Sequence, residues 1–95
     1  MSIPDGAEDA IRIAGRARVF LEESIFQDAW RDLEEMLVAR WRNSPHSRAD
    51  EREEAYRTLR VMDGLRNVLD GYVQSGQIAL HDLEQFARDR VVAGQ

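Results

Sequence analysis

Apolar residues in the middle of the chain recur every three or four positions. Phe26, Trp30, Leu33, Leu37 and Trp41 form one such line, the period of an amphipathic helix. At about 100° per residue, Ile25, Ala29 and Met36 widen the line into a broad face, with Asp28, Arg31, Glu34, Glu35 and Arg42 opposite. One charge breaks the pattern, since Arg40 projects into the apolar arc. A second helix is predicted through Ala55 to Val73. It carries Ala55, Leu59, Met62, Leu69 and Val73 on one line and Val61, Leu65, Val68 and Tyr72 on the line beside it. Together these lines cover roughly half the helix circumference, more than one partner helix can bury.

The punctuation between these stretches sets the topology. Ser24-Ile25-Phe26-Gln27 has capping-box spacing and predicts a kink or a fresh helix start at Ser24. Asn43-Ser44-Pro45-His46-Ser47 stops the helix, with asparagine suited to the left-handed conformation and proline unable to continue the ladder. Ser47 or Asp50 is placed to cap the next helix, whose start, Asp50-Glu51-Arg52-Glu53-Glu54, is acidic as the helix dipole favours. A connection of about five residues makes the two helices antiparallel neighbours.

Flanking segments are helical as well. Upstream, Asp5 and Glu8 have capping-box spacing, Glu8 and Arg12 stand four apart, and Ala10, Ala14, Ala17 and Leu21 form a narrow stripe suited to lying close against something. Gly15 lowers the stability of that helix when alone. Downstream, Ser75-Gly76 reads as a C-cap. Leu80, Leu83, Phe86, Ala87 and Val91 then predict a short fourth helix within residues 78–92, or a continuation of the third through a bend. The expected fold is all-α: an antiparallel helical hairpin with flanking N- and C-terminal helices in a small helical bundle. The chain reads as one domain over residues 1–95, with flexible ends at 1–6 and 93–95.

Composition narrows the function classes. The chain has 95 residues, no cysteine and a formal net charge of −5. A chain of this size is only marginally able to bury a sufficient core, and no disulfide or thiolate site adds to it. Net acidity argues against direct nucleic acid binding as the main mode, although Arg12, Arg16 and Arg18 could make a local basic patch. All basic residues are arginine. No secretory signal or membrane-spanning run is evident, so a cytoplasmic location and no membrane partner are expected.

No cluster for catalysis emerges. His46 and His81 lack a second histidine or cysteine at ligand spacing, and the glycines are isolated, with none followed by lysine. Carboxylates such as Glu34, Glu35, Glu51, Glu53 and Glu54 fall on faces that should be in water, and the serines at 24, 44, 47 and 75 occupy cap and turn positions. The sequence therefore predicts no enzyme, no catalytic residue, no metal and no cofactor. Phe26, Trp30, Leu37, Arg40 and Trp41 on one helix, with Val61, Leu65, Val68 and Tyr72 on the other, are the candidate interface residues. Tryptophan and arginine dominate binding hot spots, and Arg40 invites a carboxylate partner: Asp63 or Asp70 across the hairpin, or one on another subunit.

Several segments together resemble a group of small helical proteins encoded by bacteriophages and prophages. These are Ser24-Ile25-Phe26-Gln27-Asp28-Ala29, Trp41-Arg42-Asn43-Ser44-Pro45, Arg52-Glu53-Glu54-Ala55-Tyr56, and Leu59 through Met62-Asp63-Gly64-Leu65. The resemblance covers half to two-thirds of the chain and rests on packing and capping motifs. It implies a phage context, and hence the host cytoplasm or the virion. The expectation is a non-enzymatic homo-oligomer that serves virion assembly beside other phage proteins, as a structural, scaffolding or packaging-associated component. The alternative is an inhibitor or adaptor that binds a host protein through an acidic helical face.

Overall fold

The structure, a computed structural model, describes residues 5–93, with the side chains of residues 6–91. The protein is all-α: helices α1 (Asp5–Glu22), α2 (Ser24–Asn43) and α3 (Ala49–Ala93) follow one another, and no strand occurs among the described residues. Of the ends expected to be flexible, residues 1–4 and 94–95 lie outside the described residues, whereas Asp5 and Gly6 open α1 and Ala93 closes α3. The side chain of Asp5, and with it the proposed first capping box, also lies outside them.

Two compact units divide the chain: Met1–Phe20 with Leu69–Gln95, and Leu21–Val68. In the second unit, α2 and the first half of α3 share an apolar cluster of Trp30, Leu37 and Met62, with Phe26 and Leu59 packed against it. Phe26 and Trp30 stand one helical turn apart, with ring centroids at 5.5 Å and planes tilted by 48°. Ala55 is fully buried, which allows the backbone of α3 to come close to its neighbour at that level.

The helix boundaries follow the expected positions but not the expected caps. Glu23 separates α1 from α2 with φ −65° and ψ 124°, so Ser24 is the first helical residue rather than its cap, and no side chain caps this end. The break is needed because the apolar line changes phase: extending the Ala10–Ala14–Ala17 stripe without interruption would turn Asp28 and Asp32 inward. Gln27 does not close a capping box. Its Nε2 donates to the Leu21 carbonyl at 3.0 Å, satisfying one of the acceptors left open at the end of α1.

Between α2 and α3, Asn43 stays helical and Ser44 is extended (φ −64°, ψ 138°), since a residue preceding proline is driven out of the helical region. No described residue has positive φ, so the left-handed stop expected at Asn43 is not used. Ser44 Oγ instead donates to the Trp41 carbonyl at 2.9 Å. The turn is held from above by Arg52, whose guanidinium donates to the carbonyls of Pro45 (2.7 Å) and His46 (3.3 Å). α3 opens at Ala49, directly after Arg48. Asp50 lies inside the first turn rather than before it.

α3 runs unbroken to Ala93, so Ser75-Gly76 ends no helix and the short fourth helix does not exist as a separate element. The physical reason lies in the first unit. A Cβ built on Gly76 would collide with the Ala14 Cβ and sit 3.1 Å from the Ala10 carbonyl oxygen. The glycine is a contact point where two backbones approach, and Ala14, Ala17 and Ala79 of the same unit are buried. Close packing offsets the roughly 1 kcal/mol that a glycine costs inside a helix. The alanine stripe of α1 thus has its partner. Arg12 takes Asp9 as its ion-pair partner at 3.3 Å, not Glu8.

Candidate interaction surface

The core cluster of the second unit takes part of the predicted interface inward. Trp30 is 9% exposed and Leu37 3% exposed, and Phe26 is half-buried against them. The Trp30 Nε1 donor is buried with no acceptor among the described residues. Trp41 stays 48% exposed, and Val61, Leu65, Val68 and Tyr72 are all exposed. Arg40 is exposed and makes no ion pair among the described residues, so neither Asp63 nor Asp70 takes it up within the chain.

Two residues that the sequence placed on the apolar arc, without singling them out, are now prominent. Ile25 is 70% and Met36 52% exposed. On the helical wheel, Ile25, Ala29 and Met36 stand about 100° from the core-facing Phe26, Trp30 and Leu37. On α3, Val61, Leu65 and Val68 stand about 120° from the core-facing Ala55, Leu59 and Met62. The rotation has the same sense on both helices, each viewed from its own N-terminus. The signal in the sequence was the excess width of the two apolar faces.

Charges flank these lines in an ordered way. Asp28, Asp32 and Glu35 lie beyond the apolar line of α2, and Arg57 lies beyond that of α3. Arg31 forms ion pairs with Asp28 and Asp32 at 3.3 and 3.4 Å, and Arg57 with Glu53 at 3.0 Å, all through exposed side chains. The carboxylates of Glu35 and Glu54 hold no ion-pair partner among the described residues.

At the start of α3, Arg48 reaches Asp50 at 3.3 Å and Glu51 at 3.2 Å. The hydrogen bond from Arg48 is the main reason that the Asp50 carboxyl lies below its ordinary value, and the bond to Asp50 in turn holds the guanidinium above its own.

Grooves occur among the described residues of the first unit. One of about 430 Å³ is bounded by Ala7, Ile78, Ala79, Leu83 and Phe86, with Ser75 and Asp82 as polar members. Another, of about 330 Å³, lies among Ile13, Arg16, Phe20, Leu69 and Tyr72. Arg16 thus borders an apolar groove and Arg12 is paired with Asp9. Arg18 stands about 240° around the helix from Arg12, so the three arginines do not share one face. Among the described residues no group of three or more His, Asp or Glu side chains converges as a metal site, and no helix is long and apolar enough to cross a membrane. No family model, curated protein or solved structure matches the chain.

Proposed function

We propose that the protein is a non-enzymatic helical module that associates with itself through a hairpin made of α2 and the first half of α3, and that this association serves virion assembly. The cluster of Trp30, Leu37 and Met62, joined by a short turn at residues 44–48, supports an antiparallel hairpin. In an antiparallel pair, lines rotated in the same sense from the core fall on the same side. Ile25, Ala29 and Met36 then join Val61, Leu65 and Val68 in one apolar face.

That exposed face is the observation that carries the proposal. Patches of this kind on a soluble chain mark interaction sites. The virion context, in the host cytoplasm or in the particle, rests on the phage resemblance alone.

Sedimentation velocity at tens of micromolar tests the association. A dimer or larger species is expected, converted by the pair Val61→Asp and Leu65→Asp to a monomer of unchanged helix content. A wild-type chain that sediments as a monomer overturns the reading. Recovery of the chain in purified virions or procapsids is the expected result for the assembly role, and its absence from both would remove that role.

A further inference from the structure

We infer that the partner on this face is a second copy of the same chain, docked about a two-fold axis parallel to the helices so that α2 of each copy lies on α3 of the other, with Arg40 meeting Glu54 across the interface. The inference rests on the self-association proposed above and assigns its geometry.

Two arrangements can pair the face with itself isologously. With the axis perpendicular to the helices, α2 lies on α2, and the acidic edge formed by Asp28, Asp32 and Glu35 meets its own copy. Like charges so juxtaposed disfavour a complex. With the axis parallel to the helices, α2 lies on the partner's α3, and the acidic edge meets Arg57 instead.

The parallel axis also fixes the register. Rotation about it leaves heights along the helices unchanged, so residues face each other across the interface at the levels they share within the hairpin. Counting about 1.5 Å per residue away from the turn, α2 and α3 positions at one level have numbers summing to about 92. Trp30 and Met62, joined in the core cluster, fit that rule. Glu35 then comes level with Arg57, with Asp32 about one turn away. Arg40 and Glu54 differ by about 3 Å in height and both point into the face rather than to its edge.

The arrangement accounts for charges that the single chain leaves over. Arg40, Glu35 and Glu54 have no ion-pair partner within the described residues, and Arg57 holds only an exposed pair with Glu53. An exposed pair of that kind contributes little and is readily exchanged. Arg40, the charge in the middle of the apolar arc of α2, gains a carboxylate at the place where the second copy arrives.

Charge exchange tests the geometry. Arg40→Glu alone and Glu54→Arg alone each place like charges at both symmetric contacts, and each is expected to weaken dimerisation by about tenfold or more in sedimentation equilibrium. An equimolar mixture of the two variants is expected to dimerise like wild type, because each supplies the charge that the other lacks. Circular dichroism verifies that both variants keep their helices. A wild-type monomer sinks the self-association itself. A wild-type dimer that Val61→Asp with Leu65→Asp dissociates, but whose charge variants behave as wild type or fail to rescue each other, leaves the association standing and overturns this geometry.

Discussion

At Gly76 an added methyl group would meet the Ala14 side chain and the Ala10 carbonyl, whereas at Gly15, also helical, a Cβ meets nothing within 4 Å. The same substitution therefore acts in opposite directions at the two sites. Gly76→Ala forces the helices apart and is expected to destabilise the fold by about 1–3 kcal/mol, the usual cost of overpacking. Gly15→Ala removes freedom from the unfolded chain and is expected to stabilise by about 0.5–1 kcal/mol. Urea denaturation of the two variants beside wild type measures both. Equal effects of the two substitutions would contradict the close approach.

The first turn of α3 is where charge and helix start are coupled. Asp50 takes a hydrogen bond from Arg48, which lowers its pKa, so this contact favours the folded turn above the ordinary carboxylate value of about 4. Its contribution is lost as the pH falls through the lowered value. An NMR titration of the carboxyl carbons is expected to find Asp50 below the free-residue midpoint. In Arg48→Ala that midpoint should move up, because the largest of the causes that lower it is removed. No upward movement would dismiss the contact.

Much of this element's course, and of α2, was legible in the sequence. The period of Phe26, Trp30 and Leu37 against Leu59 and Met62 identifies two helices and the cluster between them, because a core-facing line is a property of spacing alone. Caps were less legible. Ser24, Asn43, Ser47 and Asp50 all have suitable chemistry, but which residue leaves the helical region depended on the phase change at Glu23 and on Pro45. Gly76 shows the deeper difficulty. A glycine after an apolar run suits a helix end when nothing faces it, and a helix interior when another backbone does. The distinction lay some sixty residues upstream, in the small side chains of Ala10 and Ala14. For the candidate surface, spacing gave the lines but not how they divide. Trp30 and Leu37 go inward, while Val61, Leu65 and Val68 remain outside.

Over the whole molecule, burial is carried mainly by small or medium side chains. Ala14, Ala17, Ala55 and Ala79 join Trp30, Leu37 and Met62 as the buried apolar residues, and no large side chain is wholly removed from solvent among those described. A core of this kind supplies little surplus over the entropy of folding, which is consistent with the self-association proposed above. The two tryptophans sit differently in that scheme. Trp30 is 9% and Trp41 48% exposed, and on the wheel Trp41 turns away from the side that carries Ile25 and Met36. In optical terms the chain contains an interior and an exterior fluorophore. Trp30 should emit at the shorter wavelength and resist iodide, and Trp41 should emit further to the red and be quenched at every protein concentration. Single-tryptophan variants, Trp41→Phe and Trp30→Phe, separate the two signals. Unfolding would then register chiefly as a red shift in the first, with the second, half-exposed already in the folded chain, shifting less.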